Sequence, residues 1–437
     1  MTDWDFYQLN ALDSGNTEVA FTTSWLVQGR IDLEKLSAAL DVVTDRWRLL
    51  AGRLELSENT LRVRFPRGDF PKDYRRYALT TAVSKGAVSD YVTLPLPTVS
   101  PLPPLSLSVP PAMPTSARDF AKTQHPLISI HITTLEDSSH SFVGFTVPHG
   151  VFDATGTGFV HRALEAQLHG REWEPPVYPY ALNPILEAHT VQPLSTSFYS
   201  KFKTAFEFIG RMFYDTYWDK VKLHLVVVPE AVHLGLVKQV RDSLDIPVGA
   251  SDVLAAWLFK TMYSNGAPAS RTVQFVTFCS FRSFIPDLAT YPHNAFVRAF
   301  CPQTTVGELV QRSLAEIAVL IYESRQALGM KDVLAAHDEL VSGSLLDMLS
   351  QGGDRRGADE IFWVNNCSAA KATELNWPGV EKVEWASRYM LNGVPFQMAN
   401  FWTIMGRLDG DLMIHIAESK EKLALIEGEI RRLAAKK

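Results

Sequence analysis

The chain is 437 residues long, 46% apolar, 11% aromatic and 21% charged, an ordinary globular composition that excludes a disordered, collagenous or coiled-coil protein. That length suggests two or three domains on one chain. A formal net charge of −6 leaves no basic excess and argues against a nucleic-acid binder.

In chain order, Ile31 to Val43 places Leu33, Leu36, Leu40 and Val43 at helical spacing, with Asp32 available as a cap. Leu94 to Met113 reads LPLPTVSPLPPLSLSVPPAM. Proline repeatedly removes a backbone donor there, which predicts an extended surface connection rather than a helix or a central strand. Leu127 to Thr133 and Ser141 to Val147 are β-rich runs around a polar turn and read as a hairpin, and Gly156 to Leu168 reads as a helix. A second proline-rich break, from Glu174 to Pro193, opens the crossing to the second half.

Beyond the crossing, Leu223 to Val228 and Thr272 to Phe278 predict strands. Residues 230–243, 250–263 and 305–328 predict helices. Strands near Ile361 to Asn365 and Asp411 to Ala417 precede a charged amphipathic helix at the C-terminal end. The aromatic run Phe198 to Trp218 could line a channel, but reads better as a face packed against the second half. The glycine-rich run 351–357 reads as a solvated turn, since no GxxxxGK or GxGxxG pattern occurs. Both halves mix strands and helices without regular βαβ alternation, so the predicted class is mixed α/β (α+β).

Cys279, Cys301 and Cys367 are odd in number and far apart, so neither a disulfide framework nor a metal site is expected, and a reducing compartment fits. No run approaches ~18 apolar residues, and the acidic start Met1-Thr2-Asp3-Trp4-Asp5 lacks a secretion pattern. The expectation is a cytoplasmic protein without a membrane span.

The chemistry concentrates in Thr146-Val147-Pro148-His149-Gly150-Val151-Phe152-Asp153-Ala154-Thr155-Gly156-Thr157-Gly158. A strand ends, one histidine follows on a glycine-flanked turn, and a helix begins directly after. A histidine so placed can project into a cleft and take a proton near neutral pH. It is the one His-x-x-x-Asp in the chain. The pattern alone is weak, since about 0.7 such matches arise by chance at average aspartate frequency. There is no GxSxG elbow, and the cysteines carry no nucleophile signature.

Several segments, in order, resemble the BAHD acyltransferases, a family of acyl-CoA-dependent transferases. Gln8 to Asp13 looks like the family's opening LSxLD, and Ile31 to Leu54 like its first helix and following LAGRL. The HxxxD at His149 sits where the family has it. Val248 to Trp257 resembles the helix after the crossover, Thr277 to Arg282 the strand ending in a family arginine, and Tyr291 to Phe296 the YxGNA segment. Three departures stand out. Ala154 replaces the glycine after HxxxD, His293 replaces that of YxGN, and the late DFGWG motif is absent, its place falling at Asn376 to Gly379.

The resemblance implies two chloramphenicol acetyltransferase-like domains with mixed sheets and a channel at their interface. The expected limits are 1–190 and 226–437, joined by a crossover at 191–225. It implies an acyl-CoA-dependent O-acyltransferase, with His149 as general base and acyl-CoA as co-substrate rather than a bound cofactor. The other partner is a small alcohol or amine, and a monomer is expected. Asp153 is implied to pair with Arg282 and hold the loop. Asn365, Asn366 or the Gly150 amide is a candidate oxyanion donor, and Ser251 and Lys260 are candidate CoA contacts. N-acylation, a condensation-type enzyme and a non-catalytic binding relative are the alternatives. Condensation enzymes of this fold usually carry paired histidines, whereas Pro148 precedes His149 here.

Overall fold

A computed structural model describes residues 3–57, 60–136, 139–180, 182–192, 198–264, 266–342, 358–391 and 399–435. The first half starts with β1 (Trp4–Gln8), the short α1 (Ala11–Ser14), β2 (Ala20–Gly29) and α2 (Leu33–Arg46). The Asp32 side chain accepts from the Lys35 amide and caps α2, satisfying a donor that has no partner within the helix. Next come β3 (Arg53–Ser57), β4 (Thr60–Pro66), β5 (Ala78–Ser84), β6 (Val99–Pro101) and α3 (Ala117–Thr123). The expected antiparallel pair follows as β7 (Ser129–Leu135) and β8 (His140–Pro148). After it lie α4 (Ala154–Leu168), α5 (Leu182–Glu187) and α6 (Phe198–Tyr217).

The second half runs β9 (Lys222–Val228), α7 (Glu230–Arg241), α8 (Ala250–Tyr263), β10 (Thr272–Ser280), β11 (Phe296–Phe300) and β12 (Thr304–Thr305). It continues with α9 (Val306–Gln311), α10 (Leu314–Gln326), α11 (Met330–Ser342), β13 (Glu360–Asn366) and β14 (Val380–Leu391). It closes with β15 (Phe401–Leu408), β16 (Asp411–Glu418) and α12 (Lys420–Ala434).

Two large sheets organise these elements. One is five-stranded, ordered β14-β2-β8-β7-β5; the other is eight-stranded, ordered β11-β10-β13-β15-β16-β9-β6 with β12 on β10. Parallel β10–β13 and β13–β15 pairs sit among antiparallel neighbours, so the second sheet is mixed. Each sheet borrows a strand from the other half of the chain: β14 pairs with β2, and β6 pairs with β9. A small β1-β4-β3 sheet stands beside them.

The core follows the sheet faces. Leu36, Leu40 and Val43 of α2 join Val160 and Leu164 of α4 in the core of the first sheet. On the second sheet, Phe275, Phe362, Trp402 and Ile414 pack under Val253, Trp257, Ile317 and Ile426 of the covering helices. The opposite face contributes Leu225, Val227, Met405 and Met413 to the first core. The second sheet is therefore sandwiched between its helices and the first half. Each such side chain, fully buried, stabilises by about 1.5–3 kcal/mol, which welds the halves along that face.

Three expectations are corrected. The helix over 305–328 is two helices, because Thr305 with Glu308 and Ser313 with Glu316 form successive capping boxes that restart it. The proline-rich segment is not confined to the surface. β6 extends the second sheet, Leu107, Val109 and Met113 are buried, Ser108 Oγ bonds Ser24 Oγ, and Tyr389 donates to the Pro103 carbonyl at 2.8 Å. The aromatic run is exposed where its side chains are described, with Phe206 at 69%, Tyr217 at 57% and Trp218 at 74%. The 351–357 run lies outside the described residues. No helix among the described residues is long and apolar enough to cross a membrane.

Candidate active site

β8 ends at Pro148 and α4 begins at Ala154, so His149 to Asp153 form the turn between them. Asp153 caps α4: its Oδ1 accepts the Gly156 amide at 2.7 Å. Gly156 permits close approach here, since a Cβ would fall 1.8 Å from the Pro292 carbonyl oxygen. The first turn of α4 thus rests directly on the 291–295 segment of the second half.

Arg282 clamps the two segments together. Its Nη1 donates to Asp153 Oδ2 and its Nη2 to Asp153 Oδ1, both at 2.9 Å. Nε reaches the Tyr291 carbonyl at 2.8 Å, and Nη2 also reaches that of His293 at 2.6 Å. The Ala295 amide donates to Asp153 Oδ2 at 3.1 Å. Asp153 thereby faces Arg282 and a helix amide, a two-pronged charge-assisted geometry that fixes position.

A second buried network lies beneath. Asn294 Nδ2 donates to the His149 carbonyl at 2.8 Å and to Asp13 Oδ1 at 3.2 Å. Asp13 Oδ2 accepts Tyr7 OH at 2.6 Å, and Tyr7 OH lies 3.0 Å from Tyr291 OH. Burial pushes the Asp13 carboxyl up to about 7, against the bonds from Tyr7 and Asn294. His293 has a use of its own: its ring stacks on Tyr7 at 4.0 Å and its Nδ1 meets the Val151 carbonyl at 2.7 Å. An imidazole here occupies the YxGN glycine position and props the turn.

The His149 ring stands where the two sheets meet. Phe21 of β2 meets it edge-on at 5.2 Å, and Phe296 of β11 lies at 6.2 Å. Its Nδ1 is buried without a partner, and the residue as a whole is half-buried. Burial lowers its pKa below the ordinary 6.5, so the imidazole is neutral at neutral pH and can accept a proton. From Phe296 an aromatic wall continues through Phe278 at 5.7 Å to Trp363 and Phe401.

Asn365 occupies the same β13 face as Trp363 and is paired in register with Thr403. Its amide makes no hydrogen bond among the described residues. Asn366 accepts the Ser368 amide at 3.0 Å, an ordinary turn bond. The Gly150 amide donates to nothing among the described residues. Ser251 is half-buried in the first turn of α8, beside Asp252, which Arg325 holds with two 2.7 Å bonds. Lys260 is elsewhere: its ammonium donates to the Arg312 carbonyl at the α9–α10 break. It lines a cavity of about 660 Å³ with Trp257 and Leu425, on the helix-covered side of the second sheet. His161 packs edge-on to Trp25 and Phe145, its pKa pushed by burial to about 3.

At the DFGWG position, Trp377 meets Trp25 at 5.1 Å and the Pro378 carbonyl accepts the Asp32 amide. The Asp32 bond and the pairing of Val380 with Gly29 tie the start of α2 to the sheet, and Gly379 turns the chain there with φ +80°. The cysteines argue against a metal site, yet His189, His337 and Asp338 bring ligand atoms within 4.8 Å of one another. A cavity of about 620 Å³ lies beside α4, lined by His161, Arg162 and Glu374. Neither of these two cavities touches His149.

Asp13 and Asn294 carry the lower network, although they stand in the sequence only as members of family-like segments. Arg388, close to this site on β14, has no sequence signal at all.

No protein-family model matches the chain. A curated relative, the O-acyltransferase pboC of Aspergillus ustus, is 27% identical over 71% of this chain and 71% of its own length. Two others are named transcriptional regulators: sdnM of Sordaria araneosa at 26% identity and calD of Penicillium decumbens at 24%. They match over 59% and 57% of this chain, and 58% and 55% of their own lengths. Among solved structures, F. graminearum TRI101 complexed with ethyl coenzyme A superposes with a TM-score of 0.64 at 12% identity, over 98% of this chain and 97% of the other. Vinorine synthase gives 0.63 at 13% identity, over 98% and 93%. The chain thus shares the mixed α/β fold of these solved structures and is similar over most of its length to an O-acyltransferase, as the ordered segments resemble the BAHD acyltransferases.

Proposed function

We propose that the protein is an acyl-CoA-dependent O-acyltransferase that moves an acyl group, acetyl in the simplest case, onto a hydroxyl of a specialised metabolite. One observation carries the reading. His149 is held by both halves of the molecule, half-buried beside an aromatic wall, with its pKa lowered by burial so that the ring can accept a proton. In this reading Nε2 takes the acceptor's proton as its oxygen bonds to the thioester carbonyl carbon. The C–S bond then breaks, and the imidazolium returns the proton to the departing sulfur. The Gly150 amide and Asn365 are the donors free to meet the oxyanion. Asp153 and Arg282 hold the turn, and Ser251 is the remaining CoA-side candidate, since Lys260 is engaged with Arg312. Both substrates would enter between the halves, where positioning supplies much of the rate.

The regulator names of two relatives favour a second reading, a non-catalytic binding protein. The net charge of −6 counts against direct DNA contact. Incubating the protein with acetyl-CoA and a panel of terpenoid, polyketide and phenolic alcohols decides between them. The enzyme reading expects free thiol and an acylated product by mass spectrometry; acylated amines instead would move the reading to N-acylation. No thiol release with any donor and acceptor would leave the binding reading.

A further inference from the structure

Arg388 lies on β14 opposite Thr23 of β2 and is 7% exposed. Its guanidinium sits 4.6 Å over the Phe21 ring, the same ring that His149 meets edge-on. Nε and Nη2 are buried without a hydrogen-bond partner, and the one side chain bonded to the guanidinium among the described residues is the uncharged Cys367 thiol, not a carboxylate. Thr23 Oγ1, both ring nitrogens of His161 and Nε2 of His415 are also buried and unpartnered. The charge of Arg388 helps to lower the pKa values of His149, His161 and His415, each of which burial lowers first. These residues come from β2, α4 and β16, and the first turn's Asp153 is already occupied by Arg282.

A buried guanidinium with open donors is costly unless an anion completes it. We propose that Arg388 binds a carboxylate carried by a substrate, so that the site is selective for acidic substrates. The inference rests on the acyltransferase reading. Two carriers share this chemistry: the free end of a dicarboxylic acyl-CoA, or a hydroxy acid acceptor. A fixed planar fork suits either carboxylate, and Phe21 between Arg388 and His149 spaces the bound anion from the reacting nitrogen.

The test has two arms, each run on wild type, Arg388→Met and Arg388→Lys. The first compares malonyl-CoA with acetyl-CoA as donor to one neutral alcohol. The second compares a hydroxy acid with the alcohol lacking its carboxyl group, using acetyl-CoA. In one arm, wild-type kcat/KM should favour the carboxylate by at least about tenfold, the size of a charge-assisted bond. That preference should vanish in Arg388→Met and survive in part in Arg388→Lys. The unfolding midpoint of wild type and Arg388→Met gives an independent readout, because the carboxylate-bearing ligand should raise that of wild type beyond its neutral counterpart. Thiol release with no carboxylate preference in either arm, in rate or in midpoint, overturns this inference and leaves the enzyme reading intact. No release from any pair, with a carboxylate midpoint shift that disappears in Arg388→Met, overturns the enzyme reading and supports the anion site.

Discussion

Arg282 and Arg388 are buried almost equally, at 6% and 7% exposure, in opposite circumstances. Arg282 meets both carboxylate oxygens of Asp153 and two backbone carbonyls. Arg388 shields one face against Phe21, and two of its donor nitrogens are buried without a hydrogen-bond partner. The first ties a turn in one half to a strand end in the other, so its charge is neutralised by folding. The second is not neutralised by anything the described residues supply. Burial by itself therefore says little about role; the state of the partners separates a structural clamp from a site that awaits a ligand.

The comparison breaks most directly through stability. Arg282→Met leaves the Asp153 carboxylate buried and unpaired, which should cost about 3–5 kcal/mol and lower the unfolding midpoint and soluble yield sharply. Arg388→Met removes a charge with no partner and should leave the midpoint unchanged or raise it. Equal losses in the two variants would erase the distinction. Asp153→Asn probes the clamp from the other side and should also reduce stability. A variant that melts like wild type while activity collapses would place Asp153 in the chemistry instead.

Asp13 sharpens the same contrast through pH. Burial raises its carboxyl from 3.8 to about 7, so the folded state binds its proton more tightly than the unfolded chain. That contribution is fully present below about pH 4 and is lost as pH rises through about 7. Asp13→Asn should flatten the decline of the unfolding midpoint over this window; an unchanged slope would show that Asp13 does not titrate there. Asn294→Ala removes the side-chain bond to the His149 carbonyl and one of the two bonds to Asp13 Oδ1, which keeps the Asn294 backbone amide. It should cost about 1–3 kcal/mol, as expected for one orphaned buried acceptor, read by chemical denaturation.

Local signals in the sequence carried far. Asp32 marked the start of α2, the β-rich runs around residues 136–139 paired as β7 and β8, and the His149 turn fell between a strand and a helix as its glycines and proline suggest. The Asp153–Arg282 pair spans 129 residues and was legible only through family resemblance, because no local rule links the two positions. The strand exchange was not legible. β14 looks like any alternating segment, and nothing local says it will pair with β2 rather than a neighbour in its own half. The exposed aromatics of α6 show the limit of composition, since a density of rings does not by itself place them in a core. The split of α9 from α10 was readable in principle, since both capping boxes are written in the sequence. Arg388 gave no signal, because its significance lies in what fails to surround it.

The central claim is that His149 is the general base of an acyl transfer from coenzyme A. The most direct measurement is thiol release by folded wild type and His149→Ala across pH, with an accepted donor and acceptor. The account predicts a wild-type kcat/KM that rises through a midpoint below 6.5, as burial of His149 requires, and a loss of at least ~10² in turnover for the variant with its unfolding midpoint unchanged. Near-wild-type turnover in a folded His149→Ala would contradict it.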